Sequence, residues 1–284
     1  MINTFNFNWF LENCLPFIYK LRNKIIVIKY GGAAMQSNHL KMQVIKDILF
    51  LSSFGIKLII VHGGGPVIND WLQRLHIQPK FKNGIRVTDG PTMEVVEMVL
   101  AGKINKELVN LINMYDNIGI GLSGKDAKLL LASNMFDDSS NLVGNIESVN
   151  TNLLNLLLNN GYIPVIASVA SSYDLVTYNI NADIAAANIA QALNAHQLIL
   201  LTDTPGILLD VEDPSSLQKE INIDDVNNLC KKNIIAGGMI PKVQSCVTAL
   251  MNQVDSTHII DGRVEHSLLL ELLTSERIGS KIVL

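Results

Sequence analysis

Two lysines stand at positions where a positive charge needs an explanation. Lys29 interrupts the apolar run 24–30 at the carboxyl end of an expected strand, directly before two glycines. Lys242 falls in the first turn of an expected helix that follows Gly237 and Gly238, where a cation opposes the helix dipole. A lysine that simply reaches solvent is the ordinary alternative at a strand end. Together the two lysines favour a site for an anion such as a phosphoryl group.

Three consecutive glycines, Gly63–Gly65, follow a second expected strand that contains the apolar stretch 58–61. A continuous apolar run is typical of a strand covered on both faces. Consecutive glycines let backbone N–H groups converge on an anion at the start of the next helix, which we expect over 66–76. One alternative is a tight turn that needs glycine only for its geometry. Another is the oxyanion hole of lipase-like hydrolases, which is disfavoured because the chain has no G-x-S-x-G pentapeptide.

Arg86 and Asp183 are further candidates, each with an ordinary alternative. Arg86 follows an Asn83–Gly84 hairpin signal on an expected strand, where its guanidinium could hold a carboxylate through two parallel hydrogen bonds. A surface arginine is the alternative. Asp183 lies in the first turn of an expected Ala-rich helix, two residues after Asn181. Capping of that helix would account for either Asn181 or Asp183 alone.

The segment 119–126, GIGLSGKD, matches the patterns of two phosphate-binding motifs fully or in part. It matches G-x-G-x-x-G, and it matches the P-loop pattern except that Asp126 replaces the hydroxyl that binds Mg²⁺. A carboxylate there would repel phosphates. Residues 127–132 resemble a strand rather than the helix that both motifs require. We therefore reject both phosphate-loop interpretations.

The composition is that of a folded α/β protein. The 284-residue chain is 48% hydrophobic and 17% charged with a net charge of −4, which disfavours disorder and nonspecific nucleic-acid binding. No apolar run is long enough to cross a membrane. Three scattered cysteines without metal-ligand spacing indicate a reducing compartment.

Strands and helices alternate along the chain, and glycines stand at the ends of the expected strands. This order predicts a mostly parallel sheet with helices on both faces. Segments 140–149 and 172–178 are expected to form short strands of a hairpin or flap. Residues 2–20 would form an apolar helix broken near Pro16, which packs either on this chain or on another subunit.

Nine segments, in this order, resemble the amino-acid kinase family over about residues 24–284. They are VIKYGGAAM, IIVHGGGPVIN, KNGIRVTD, GKINKELV, GLSGKD, NINAD, LLTDTPGIL, GGMIPKV and HIIDGRVEHSLLLELLT. The resemblance is to members that transfer a phosphoryl group from ATP, with Mg²⁺ carried by the nucleotide, to the side-chain carboxylate of N-acetyl-L-glutamate. It implies an α/β fold, a three-layer αβα sandwich with an open, mainly parallel central sheet. It divides the chain into a helical extension for oligomerisation (1–22), an acetylglutamate-binding half (23–180) and a nucleotide-binding half with a C-terminal effector segment (181–284).

The resemblance also implies a role for each candidate residue. Lys29 and Lys242 would stabilise the transferring phosphoryl group, and Asp183 would orient both lysines. The contacts to N-acetyl-L-glutamate would come from Gly64, Gly65, Arg86 and Asn179. The contacts to the nucleotide would come from Thr202, Asp203, Gly206, Gly237 and Gly238. No protein-bound metal is implied.

The resemblance extends to regulation and assembly. The extension 2–20 resembles the N-terminal helix that links dimers into a hexameric ring in arginine-inhibited members, and the segment from His258 to Ile282 resembles their L-arginine site. Arg277 stands where relatives often carry glycine, and its charge could weaken inhibition. The implied partners are further copies of the chain, as a dimer or a hexamer of dimers, and a PII-type signalling protein, with no nucleic acid and no membrane.

The implied pathway step is the second of arginine biosynthesis, in a plastid (chloroplast) stroma or a cytoplasm. Two alternative functions stay open at this point. One is a sister kinase that acts on another carboxylate, such as aspartate or glutamate. The other is a non-catalytic sensor that binds an amino acid.

Overall fold

The computed structural model describes residues 7–35, 37–82, 85–136 and 138–284. The strands are β1 (Ile25–Tyr30), β2 (Lys57–His62), β3 (Lys80–Lys82), β4 (Ile85–Val87), β5 (Gly119–Ser123), β6 (Leu130–Asn134), β7 (Gly144–Val149), β8 (Ile163–Ala167), β9 (Val169–Ser171), β10 (Thr177–Asn179), β11 (Gln197–Thr202), β12 (Glu220–Asn222), β13 (Ser256–Asp261) and β14 (Ser280–Val283). The α-helices are α1 (Phe7–Asn13), α2 (Leu15–Leu21), α3 (Asn38–Ser53), α4 (Gly65–Arg74), α5 (Gly90–Glu97), α6 (Asn105–Asn113), α7 (Thr151–Asn159), α8 (Ala182–Ala192), α9 (Ile223–Lys231), α10 (Met239–Met251) and α11 (Ser267–Leu273). Within these ranges, every helix is too short or too polar to span a bilayer.

The centre of the described fold is an eight-stranded sheet in the order β12-β14-β13-β11-β1-β2-β8-β5. Its neighbouring strands run parallel except for the antiparallel pair β13 and β14. Alternate residues of β1 enter different cores, because Ile26 and Ile28 pack on one face and Val27 packs on the other. The open, mainly parallel sheet expected from the sequence is therefore confirmed, and burial on both faces explains the unbroken apolar runs of its strands.

Helices cover both faces of this sheet. One core contains buried side chains from α3, α4 and α6 (Ile45, Leu72 and Leu108). The other contains buried side chains from α8 and α10, such as Ala186 and Leu250. Small alanines on α8 allow it to lie close to the strands, as the Ala-rich sequence suggests. The arrangement is a three-layer αβα sandwich.

A second sheet and a hairpin lie outside the central sheet. The second sheet has the order β10-β9-β6-β7 within the described residues. Segments 140–149 and 172–178 contain the expected short strands, β7 and β10, but these pair with β6 and β9 rather than with each other in a hairpin. Strands β3 and β4 pair antiparallel, as the hairpin signal predicts. The turn residues 83 and 84 themselves lie outside the described residues.

The N-terminal segment forms two helices rather than one. α1 ends at Asn13, α2 begins at Leu15, and Pro16 occupies the first turn of α2, where the missing proline N–H costs no hydrogen bond. The break expected near Pro16 is confirmed. Ile18 and Leu21 of α2 are buried in one of the central cores, so this half of the extension packs on its own chain. The first six residues lie outside the described ranges.

Helices α5 and α6 are joined by a π-helical turn, Met98–Ile104. The segment 119–126, which partly matches two phosphate-loop motifs, begins with the strand β5. A short 3₁₀ turn and the strand β6 follow. The carboxylate of Asp126 accepts hydrogen bonds from the backbone N and the hydroxyl of Ser123. Asp126 therefore stabilises a turn, which agrees with the rejection of both phosphate-loop motifs.

Candidate active site

Lys29, Asp183 and Lys242 form one cluster. The Nζ of Lys29 lies 2.9 Å from Oδ1 of Asp183, and the Nζ of Lys242 lies 3.2 Å from Oδ2 of the same carboxylate. The side chains of Lys29 and Asp183 are buried, whereas that of Lys242 is 17% exposed. One carboxylate thus aligns two ammonium groups that are far apart in the sequence.

Three separate elements bring these side chains together. Lys29 lies at the carboxyl end of β1, and a Cβ on Gly31 would lie 2.9 Å from its Nζ, so the absence of a side chain at Gly31 gives the ammonium room. Asp183 lies in the first turn of α8, and Lys242 in the first turn of α10. The carboxyl ends of parallel strands and the helix starts beside them meet at one edge of the sheet, where ligands of such folds bind.

Asn181 is the residue that caps α8. Its side-chain oxygen accepts hydrogen bonds from the backbone N–H groups of Asp183 at 2.8 Å and Ile184 at 3.3 Å. Because Asn181 supplies the cap, the carboxylate of Asp183 is available for the two lysines. Capping therefore does not account for Asp183.

The two lysines of the cluster favour the ionised form of Asp183. Burial alone would raise the pKa of this carboxyl, but the ion pairs with Lys29 and Lys242 outweigh burial and hold the pKa below its usual value. Asp183 also compensates Lys242 at the α10 start. Two lysines against one carboxylate leave one positive charge in excess, which an anionic ligand would neutralise.

A first cavity, of about 180 Å³, lies beside this cluster. Its walls include the glycine turn together with Arg86, Asn179 and Ala182, the residue that precedes Asp183. Within the described ranges, no protein acceptor binds the N–H of Gly64. This cavity therefore combines a free backbone donor with a guanidinium, as expected for a site that holds a carboxylate.

Arg86 offers the clearest sign of an anionic ligand. Its Nη2 donates to Oδ1 of Asn69 at 2.7 Å, and its guanidinium lies 4.8 Å from the ring centre of Phe81. Its Nη1 is buried and has no hydrogen-bond partner among the described residues. Burial lowers the pKa of Arg86, although a guanidinium remains charged at neutral pH. A buried charged donor without a partner is costly, and a carboxylate would satisfy it.

Thr88 and Asn69 are parts of the site that the sequence analysis missed. The hydroxyl of Thr88 donates to the backbone oxygen of Arg86 at 3.1 Å and accepts from Nδ2 of Asn179 at 3.1 Å. One buried hydroxyl therefore connects two of the predicted substrate contacts. Asn69 lies one helical turn after Gly65 in α4, so the IIVHGGGPVIN segment contained the only sequence signal for it.

The glycine at position 64 is required by packing. A Cβ there would lie 2.2 Å from Cδ1 of Ile104 and 2.8 Å from Cδ2 of Leu100, whereas a Cβ on Gly65 would meet nothing within 4 Å. Both obstructing side chains belong to the π-helical turn. The π-helical turn thus packs directly against Gly64.

Gly64→Ala is expected to destabilise the protein by about 1–3 kcal/mol, because the added methyl group overpacks the contact with Ile104 and Leu100. Urea unfolding followed by circular dichroism measures the effect. Gly65→Ala is the matched control and should remain within about 0.5 kcal/mol of the wild type. Equal stability of the two variants would contradict the packing explanation.

A second and larger cavity has a volume of about 490 Å³. Lys242 borders it, together with the predicted nucleotide contacts Asp203, Gly206 and Gly238. Thr202 and Gly237 do not form its wall, although each is the chain neighbour of a wall residue. Gly206 has a φ of +142°, and a Cβ there would lie 2.5 Å from Oγ of Ser280. Lys242 of the cluster thus borders the larger cavity, while the chain neighbour of Asp183, Ala182, borders the smaller one.

Comparisons with known proteins agree with this architecture. The model of the amino acid kinase family matches residues 24–261. A protein of Gracilaria tenuistipitata var. liui named acetylglutamate kinase is 57% identical over the whole of both chains. Among solved structures, N-acetylglutamate synthase from Neisseria gonorrhoeae, complexed with coenzyme A and N-acetyl-glutamate, matches with a TM-score of 0.86 at 24% identity. The alignment covers 98% of this chain and 63% of that one.

Carbamate kinase from Giardia lamblia bound to AMP-PNP matches with a TM-score of 0.67 at 16% identity, over 92% of this chain and 98% of that one. At these identities the two solved structures show the fold alone. The family model and the Gracilaria protein show that the amino-acid sequence is similar as well. The chain belongs to the amino acid kinase family and, within it, to the acetylglutamate kinases.

Proposed function

We propose that the protein transfers the γ-phosphoryl group of ATP to the side-chain carboxylate of N-acetyl-L-glutamate, which yields N-acetyl-L-glutamyl 5-phosphate. The single observation that carries this proposal is the Lys29–Asp183–Lys242 cluster, in which one buried carboxylate holds two lysines and Lys242 borders the larger cavity. Arg86 lines the smaller cavity, and its Nη1 has no partner among the described residues, which suits an acceptor with a second carboxylate. The 57% identity to a protein named acetylglutamate kinase supports the same acceptor.

The acceptor needs no general base. A side-chain carboxyl group with an ordinary pKa of about 4.3 is already ionised at neutral pH. Catalysis then consists of holding the acceptor in line with the phosphoryl group and compensating the charge on its oxygens. Lys29 approaches from the β1 side and Lys242 from the nucleotide side, with Asp183 holding both. The N–H of Gly64 adds a neutral donor to these two cations.

ATP would occupy the larger cavity, beside Asp203, Gly206, Gly238 and Lys242. Thr202 and Gly237 would support this site from behind the wall. The Giardia carbamate kinase bound to AMP-PNP supports a nucleotide in this fold. The described residues contain no group of three or more His, Cys, Asp or Glu side chains able to hold a metal ion. Mg²⁺ would enter bound to the phosphates of the nucleotide and would reduce their negative charge.

L-Arginine is the proposed feedback inhibitor. The segment 258–282 contains buried Glu271, which accepts hydrogen bonds from His258 at 2.8 Å and from the backbone N–H groups of Ile278 and Gly279. The guanidinium of Arg277 pairs with Glu220 on β12 instead of with Glu271. The positive charge of Arg277 is thus partly compensated, so it leaves inhibition weakened rather than abolished.

Arginine is expected to inhibit the full-length chain, and deletion of residues 1–20 is expected to reduce this inhibition because α1 would no longer contact another subunit. Activity is measured against arginine concentration for both chains. Arg277→Gly is expected to lower the arginine concentration needed for inhibition. A flat response in the full-length chain would refute the proposal.

Assembly and location complete the proposal. The exposed side chains Trp9 and Leu11 of α1 would contact another subunit, in a dimer or a hexamer of dimers. A PII-type signalling protein is a further proposed partner.

We place the enzyme in the plastid stroma, in line with its similarity to an algal protein, or else in a cytoplasm, at the second step of arginine biosynthesis. The boundary between the two halves of the chain near residue 180 stays a prediction.

Acceptor choice is tested by measuring ADP release from ATP and Mg²⁺ with a panel of carboxylates. We expect kcat/KM to be highest for N-acetyl-L-glutamate and far lower for L-glutamate, L-aspartate and carbamate. A preference for one of the other acceptors would assign the chain to a sister activity. Binding of an acceptor without ADP release would favour a non-catalytic sensor.

A further inference from the structure

His62 is a fully buried histidine with no role in the proposed chemistry. It ends β2, directly before the glycine run, and none of its surface is exposed. Its Nε2 lies 3.2 Å from Nδ2 of Asn105, and its Nδ1 lies 3.1 Å from the backbone oxygen of Gly63. Asn105 is also buried and begins α6, immediately after the π-helical turn.

The directions of these hydrogen bonds follow from the acceptors that surround Asn105. Its Nδ2 lies 2.8 Å from the backbone oxygen of Val165 and 3.2 Å from that of Leu122. Carbonyl oxygens only accept, so the amide group that faces them must be the NH₂. The same NH₂ faces Nε2 of His62 and shares its two hydrogens among these three acceptors. A protonated Nε2 would point its own hydrogen at this donor, so Nε2 is the unprotonated nitrogen of the ring.

The proton of His62 then resides on Nδ1 and is donated to the oxygen of Gly63. Burial lowers the pKa of His62 to about 4, while the hydrogen bond to Gly63 partly opposes this effect. The ring is therefore neutral at physiological pH, and its tautomer is fixed by Asn105. A chain of hydrogen bonds thus runs from strands β5 and β8 through Asn105 and His62 to Gly63.

The orientation of Gly63 matters because of the planarity of the peptide bond. In a trans peptide, the C=O of Gly63 and the N–H of Gly64 point in opposite directions. Glycine has no Cβ to restrict its dihedral angles, so the peptide between two glycines can rotate unless something holds it. The backbone N–H of Gly63 donates a hydrogen bond to the backbone oxygen of Tyr30 at 3.2 Å. The backbone oxygen of Gly63 is held by Nδ1 of His62.

We propose that His62, locked in one tautomer by Asn105, is a positioning residue that fixes the Gly63–Gly64 peptide and thereby directs the N–H of Gly64 toward the acceptor and the transferring phosphoryl group. The proposal rests on the proposed kinase function. It is supported by the free N–H of Gly64, which borders the smaller cavity. His62 itself touches neither substrate.

The test compares His62→Leu with His62→Asn in the full-length protein. Leucine retains most of the volume but has no donor, whereas the Nδ2 of asparagine can take the place of Nδ1 and donate to Gly63. We expect kcat/KM for N-acetyl-L-glutamate to fall about 10- to 100-fold in the leucine variant. We expect asparagine to restore most of this loss. KM for ATP should change less than about threefold in both, because the nucleotide cavity is untouched.

A merely structural histidine would give the opposite order. An apolar side chain suits the buried position better than a shorter polar one, so leucine would then retain more stability and more activity than asparagine. Equal kcat/KM in the two variants, or the order expected for packing, would overturn the proposal. Failure of the wild type to phosphorylate N-acetyl-L-glutamate would instead refute the proposed function.

A spectroscopic readout keeps the proposal testable even if both variants fold poorly. In wild-type protein labelled with ¹⁵N-histidine, long-range ¹H–¹⁵N spectra distinguish the two neutral tautomers. We expect the His62 ring to carry its proton on Nδ1 and to remain neutral down to about pH 4. A proton on Nε2 at neutral pH would overturn the proposed lock.

Discussion

Lys29→Ala and Lys242→Ala are each expected to lower turnover by about 100- to 1,000-fold, which is the usual loss when one preorganised donor to a transition-state charge is removed. Each ammonium lies within 3.2 Å of Asp183, so each is held in place before the substrate binds. The two losses should not add in the double variant, because both lysines act on one phosphoryl group. Steady-state kinetics at saturating ATP and acceptor measure kcat directly.

The control for these variants is Lys57→Ala. Lys57 begins β2 at the opposite end of the sheet, where its Nζ donates to Asn159 at 2.7 Å. Its replacement should leave turnover within about twofold of the wild type. In either active-site variant Asp183 keeps one ion pair, so circular dichroism should show a folded protein. Near-normal turnover of both Lys29→Ala and Lys242→Ala would contradict their assignment.

Arg86→Ala is expected to raise KM for N-acetyl-L-glutamate by about 10- to 100-fold, since hydrogen bonds to a charged group contribute about 1.5–3 kcal/mol. The second carboxylate of the acceptor would lose its proposed partner, the Nη1 of Arg86. KM for ATP should stay constant, because Arg86 lines only the smaller of the two cavities. Initial rates at varied acceptor concentration measure this separation.

Arg86→Lys should rescue little of the loss, because an ammonium cannot bind Asn69 and the acceptor with the planar fork of a guanidinium. Arg74→Ala is the matched control, since Arg74 is a surface arginine that pairs with Asp70 within α4. It should leave both KM values unchanged. Parallel increases in the two KM values for Arg86→Ala would point to general disruption rather than to an acceptor contact.

Much of the site could be predicted because its residues occupy places that leave a strong local signal. Lys29 stands out since it interrupts a strand that is otherwise apolar, and Lys242 stands out since a cation at a helix start lacks a local reason. The cap at Asn181 and the break at Pro16 follow from side-chain chemistry within one turn of the chain. Both the cap and the break are present in the folded protein.

What the sequence did not reveal depends on contacts between distant segments. Strands β9 and β10 have three residues each, too few for a periodic pattern, so their pairing partners could not be assigned. The π-helical turn has no local signature, and its effect appears only where Ile104 meets Gly64. Asn105 and Thr88 look like ordinary polar residues until the fold buries them beside the site.

The most direct test of the central claim is to trap the product with hydroxylamine, which converts acyl phosphates into hydroxamates. The wild-type protein, incubated with ATP, Mg²⁺ and N-acetyl-L-glutamate, is expected to yield a hydroxamate that requires all three components. The yield should nearly vanish in Lys29→Ala and Lys242→Ala. No hydroxamate from N-acetyl-L-glutamate, alongside a strong signal from aspartate, glutamate or carbamate, would contradict the proposed acceptor.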